Sequence, residues 1–216
     1  MRDIIIHDIL IPSLNMLYQS DHDNIRFGVS ERNICARLAH HMENIMREYD
    51  CSNNSNYFCN YYADVEYNRM GNGDLKQYKN SEHRPQYMVS DLLIQSRGRK
   101  RNYLAVEMKR KGNYRNAKDD RERLASMVSP APHGMHERYV HDTLVGAFIV
   151  YGKDGVKIEL FENVNGRGEN TETFEISREE LREQTGGTPR CSGGGIRQAT
   201  HFMVKFLRTA MNRTFL

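Results

Sequence analysis

The chain has 216 residues, 38% hydrophobic residues and a formal net charge of +3, with a mean hydropathy of −0.74. That length suits one domain, or one domain with a small appendage, and suffices to bury a sizeable core. The small positive charge permits a nucleic-acid partner without demanding one. No apolar run approaches the ~20 residues that cross a bilayer, and the N-terminal "IIIHDILIPSL" lacks a basic leader and a small-residue cleavage site. Cys35, Cys51, Cys59 and Cys191 form no C-x-x-C pair. They read as reduced thiols of a cytoplasmic protein rather than as a zinc knuckle or a disulfide framework.

In chain order, residues 1–29 read as a mixed lead-in with one apolar stretch. Ser30 is a suitable N-cap for a helix whose stripe is Ile34, Leu38, Met42, Ile45 and Tyr49. That helix is predicted to stop near Asp50. Residues 61–69 alternate as a strand, and 70–86 read as a long loop. Two strands follow, at about 88–96 and 102–110. A helix is predicted over 116–128 and a buried strand over 143–152. A turn at "KDG" leads to a strand over 156–163, and "TFEIS" extends the sheet. Ser177 and Glu180 form a capping box. Residues 186–195 are a Gly-rich linker without the Lys-Ser/Thr ending of a phosphate loop, and 196–213 read as an amphipathic helix. The expected organisation is a lead-in (1–29), an α/β domain with a mixed central sheet flanked by helices (30–185), and a linker with a C-terminal helix (186–216).

The chemistry lies in the two central strands. In "YLAVEMKR", Leu104, Val106 and Met108 point one way, and Ala105, Glu107 and Lys109 the other. A hairpin pairing Arg97 with Arg101 sets Asp91 opposite Glu107, with Cβ atoms roughly 5 Å apart. Lys109 shares that face. A slip of one residue would separate the three. Crowded carboxylates are unfavourable unless a cation neutralises them, and hard oxygen ligands suit Mg2+, with Mn2+ able to substitute. A lysine beside such a metal can position or activate water and offset charge at phosphorus. Glu31, on the apolar side of the first helix, is a fourth candidate. An acid at a helix N-terminus is ordinarily explained by the helix dipole. The bland reading of Asp91, Glu107 and Lys109 is a structural ion pair on a half-solvated sheet.

"SDLLI" followed, with fifteen residues intervening after Asp91, by "EMK" resembles the bipartite motif of PD-(D/E)XK nucleases, the restriction-endonuclease-like superfamily. The resemblance covers roughly residues 30–163 by element order. It implies a restriction-endonuclease-like core, with Asp91, Glu107, Lys109 and Glu31 as catalytic residues and Asp91, Glu107 and Glu31 as metal ligands. Ser90 stands where the motif has proline. Residues 61–69 with 88–109 also resemble a group of small uncharacterised bacterial nuclease-like proteins.

The expected activity is metal-dependent phosphodiester hydrolysis, on DNA more readily than on RNA. The alternative is a nuclease-fold module that binds nucleic acid or a partner protein without cutting. Lys111 and the turn residues Arg99 and Lys100 are the phosphate-binding candidates. The apolar stripe of the C-terminal helix, and the need for two sites to cut two strands, suggest a homodimer. His133, His136 and His141 read as solvated loop residues. Tyr57, Phe58, Tyr61 and Tyr62 read as core more readily than as base-stacking residues.

Overall fold

The computed structural model describes residues 1–66, 77–79, 85–87, 89–96, 102–130 and 143–183. Arg99, Lys100, His133, His136, His141 and the segments predicted as a linker and a C-terminal helix lie outside these residues. So do most of 70–86 and the turn joining the two central strands.

A π-helical turn, Ile4–Leu10, runs into α1 (Ile11–Ser20), followed by α2 (His22–Phe27) and α3 (Glu31–Asn53). The N-terminal segment belongs to the main core. Ile5, Ile6, Ile9, Leu10, Leu14 and Leu17 are buried there with Ile34, Leu38 and Met42 of α3. Ser30 caps α3 by accepting from the Asn33 N–H, and the helix runs to Asn53, about one turn beyond the predicted stop. Asp21 ties α3 to the preceding turn. It accepts from Arg37 at 2.7 Å and lies 2.8 Å from the buried His41.

The strands are β1 (Tyr61–Val65), β2 (Gln77–Lys79), β3 (Pro85–Tyr87), β4 (Leu92–Ser96) and β5 (Leu104–Arg110), then β6 (Val145–Gly152), β7 (Gly155–Val164) and β8 (Arg167–Ser177). Helix α4 (Ala117–Val128) joins β5 to β6, and α5 (Arg178–Glu183) follows β8. Six strands form one mixed sheet in the order β1-β4-β5-β6-β7-β8, while β2 and β3 pair separately. Within the six-stranded sheet the β5–β6 pair is parallel and every other pair antiparallel. The protein is thus α/β, with a mixed sheet flanked by helices. Strand β8 is longer than the five-residue segment predicted, because it follows β7 for nearly its whole length. The capping box of α5 is closed in both directions between Ser177 and Glu180.

The sheet separates two apolar layers. Leu104, Val106 and Met108 pack with α1 and α3 on one face. On the other, Leu93, Ala105, Phe148, Val150 and Phe161 pack with Ala117, Leu124, Met127 and Val128 of α4. The predicted alternation of β5 is therefore observed, and it turns Glu107 and Lys109 toward α4. Phe58 and Tyr61 are core, with Tyr61 stacked on Tyr103 at 3.9 Å between ring centroids.

Candidate functional site

The register of β4 on β5 is the one the sequence predicted. Leu92 pairs with Val106, Leu93 with Ala105 and Ile94 with Leu104. One step further, Asp91 falls opposite Glu107. There β4 ends, and the backbone N–H groups on that edge of β5 need other partners. Asp91 Oδ2 accepts from Met108 N at 2.7 Å. Glu31 Oε1, reaching from the first turn of α3, accepts from Arg110 N at 3.0 Å and from Asn113 Nδ2 at 2.9 Å. Two of the predicted site acids therefore replace a missing strand neighbour. That explains locally why two carboxylates are held so close to β5.

Glu107 lies deeper. It is 1% exposed, and its Oε1 sits 3.1 Å from Arg123 Nε of α4. That approach is poorly aligned, since the buried Oε1 has no hydrogen-bond partner. Arg123 also donates to the Val89 carbonyl at 3.0 Å and to Asp120. Lys109 Nζ is 3.1 Å from Asp120 Oδ2 and 4.0 Å from Glu31 Oε2. Glu31, Asp91, Glu107 and Asp120 thus surround Lys109 and Arg123. When all are ionised, four carboxylates face two cations.

Electrostatics follow from burial. Removal from water pushes the Glu107 carboxyl well above its usual range, against the pull of Arg123. Burial also raises Asp91, although the Met108 N–H and Lys109 favour its charged form. Burial disfavours the Lys109 ammonium, yet Asp120 and its acidic neighbours more than offset this and hold it above its ordinary value. Lys109 therefore stays protonated at neutral pH. It can donate hydrogen bonds and stabilise anionic oxygen, but it is no base.

Cys35 lies beneath the cluster, its Sγ 3.5 Å from Met108 Sδ, and burial pushes its thiol up. Arg110 is exposed, with its guanidinium against Gly28 in the turn before α3. Lys111 lies just past β5 and is exposed, with its stem packed on Gly152. A cleft lined by Tyr18, His22, Arg178 and Arg182 shares no residue with the acidic cluster.

Sequence reasoning missed Asp120 and Arg123. A signal existed for the first. Ala117, Asp120, Leu124 and Met127 follow helical spacing, so Asp120 occupies a position on the apolar stripe and is 2% exposed. Arg123 borders the same stripe.

Mg2+ can be tested against these donors. Hard carboxylate oxygens, four carboxyl groups against two cations and the unbonded Glu107 Oε1 match it chemically. Among the described residues, however, no three His, Cys, Asp or Glu side chains are grouped to hold an ion, and Arg123 and Lys109 stand among the acids. No helix among the described residues is long and apolar enough to cross a membrane.

No protein family, curated protein or solved structure matches the chain. What the fold defines is an α/β protein with a mixed six-stranded sheet.

Proposed function

We propose that the protein is a Mg2+-dependent nuclease with a restriction-endonuclease-like core, most simply an endonuclease acting on DNA. The observation that carries this reading is the gathering of Glu31, Asp91, Glu107 and Asp120 around Lys109 and Arg123, four carboxyl groups to two cations. Asp91 and Glu107 would hold the ion, with Glu31 near the opening and Asp120 supporting Lys109. When bound, the ion would lower the pKa of water and polarise a phosphoryl oxygen. Lys109 would donate hydrogen bonds to the attacking water and to a non-bridging phosphoryl oxygen, and the water would attack phosphorus in line, opposite the leaving oxygen. Arg123 would hold the Glu107 carboxyl in place, and the ion would supply the charge that favours its carboxylate form.

The test is incubation of plasmid, linear duplex, single-stranded DNA and RNA with the protein in Mg2+ or EDTA, beside Asp91→Ala and Lys109→Ala. Mg2+-dependent cutting that both variants lose supports the proposal, and cutting that either retains overturns it.

One observation favours a second reading. Arg123 and Lys109 already partner Glu107 and Asp120, as they would in a closed ion network of a non-cutting module that binds nucleic acid or a partner protein. Calorimetric titration separates the two. A nuclease should bind Mg2+ in a manner that Asp91→Ala weakens, whereas the closed network should show no such site.

A further inference from the structure

We infer that the rim of this cluster is built to take single-stranded polynucleotide, with unstacked bases laid on Phe27 and Tyr114. The inference rests on the nucleolytic reading of the site and names its substrate class. Phe27, at the end of α2, is 74% exposed, and Tyr114, in the loop before α4, is 60% exposed. No other large hydrophobic side chain among the described residues is as exposed as either. Neither aromatic residue supports the core, so neither is explained by folding.

Their placement ties them to the site. The loop carrying Tyr114 and the turn following Phe27 meet at Glu31, which binds Arg110 N and Asn113 Nδ2 together. Gly28, with φ of +73°, gives the Arg110 guanidinium room that a side chain would fill. Arg26 lies over the Phe27 ring at 5.4 Å. Arg26, Arg110, Lys111 and Arg115 are all exposed, and none has a carboxylate partner among the described residues. Unpaired cations interleaved with exposed aromatic rings match a phosphate backbone with bases free to stack.

Depth argues against an intact duplex. The Lys109 side chain is 13% exposed and that of Asp120 4%, so a phosphate must descend to reach them. A duplex resists bending on the scale of tens of base pairs and keeps its base faces stacked. A single strand bends at little cost and offers those faces to Phe27 and Tyr114.

The test measures anisotropy of labelled oligo(dT), oligo(U) and blunt duplex with the native chain, Phe27→Ala, Phe27→Leu and Tyr114→Ala. Ca2+ replaces Mg2+ so that binding is read without cutting. The native chain should favour oligo(dT) over duplex. Each alanine variant, and Phe27→Leu, should weaken oligo(dT) binding about tenfold while leaving duplex binding nearly unchanged. Tighter binding of oligo(U) would keep the single-strand inference and make RNA the source. No preference for single strands, no binding, or unchanged binding by the aromatic variants would overturn it. The nucleolytic reading fails separately. Aromatic-dependent binding without Mg2+-dependent cutting would leave this inference standing alone, and cutting that ignores the aromatic residues would do the reverse.

Discussion

Arg123 Nε of α4 lies 3.1 Å from Glu107 Oε1 on β5, so a permanent cation stands beside the most deeply buried acid of the site. Arg123→Met should leave Glu107 without its counter-charge and cost about 3 kcal/mol in stability, as when one partner of a buried pair is removed. Mg2+ should then raise the melting midpoint more in the variant than in the native chain, since the ion would no longer compete with the guanidinium. Equal Mg2+-induced shifts would place any ion elsewhere.

Asp91 serves two roles that separate by substitution. Asp91→Ala leaves the Met108 N–H without its acceptor and should cost about 1–3 kcal/mol. Asp91→Asn keeps an acceptor and removes a buried charge. Because the folded-state pKa of Asp91 is raised, its contribution is most favourable below the unfolded pKa of about 3.9. That contribution is lost as pH rises through the folded value. Asp91→Asn should therefore melt higher than the native chain in EDTA at neutral pH, with the gain shrinking in acid. A lower midpoint at neutral pH would refute the crowding argument.

Lys109 should matter for rate and Lys111 for affinity. Lys109→Ala is expected to reduce cleavage about 10²-fold or more, with polynucleotide binding in Ca2+ changed by less than about tenfold. Lys111→Ala should weaken binding and flatten its salt dependence while keeping cleavage at saturation. Native-rate cutting by Lys109→Ala would return the pair on β5 to a purely structural role.

A second ion pair contributes to acid sensitivity, as the lowered carboxyls of Asp21 and Glu162 also do. Arg121 forks onto Glu159 at 2.6 and 2.9 Å, with its guanidinium 4.0 Å from the centre of the Phe148 ring. The hydrogen bonds from Arg121 hold Glu159 below its usual pKa. Its stabilisation is therefore full above the unfolded pKa of about 4.3 and is lost as pH falls through the folded value. Glu159→Gln should cost about 1 kcal/mol at neutral pH, a modest figure because the guanidinium is partly solvated. The difference from the native chain should fade in acid. A constant difference across the titration would contradict this assignment.

Alternation along "YLAVEMKR" and the separation of Asp91 from Glu107 made the β4–β5 register legible, because one slip would have sent Glu107 into the layer of α1 and α3. The position of Glu31 followed from its spacing to Ile34 and Leu38. Asp120 and Arg123 were harder, since which helical face meets the sheet is decided by the crossover from β5 to β6. The apolar N-terminal stretch reads in the sequence only as a lead-in, although Ile5 with Ile9 and Ile6 with Leu10 are spaced four apart and lie buried on the π-helical turn. Whether the core is restriction-endonuclease-like remains part of the proposal, since a mixed six-stranded sheet serves many functions.

The two carboxylates that complete the edge of β5 also impose an order of assembly. Asp91 reaches Met108 across 17 positions of sequence, whereas Glu31 reaches Arg110 across 79. Closing the longer loop costs more chain entropy, so the nearer contact should form first. Pulse-labelled hydrogen exchange during refolding should show the Met108 amide protected before that of Arg110. The reverse sequence would show that α3 docks before the hairpin is set. Glu31 would thus join the cluster last, after the hairpin has already set Asp91 beside Glu107.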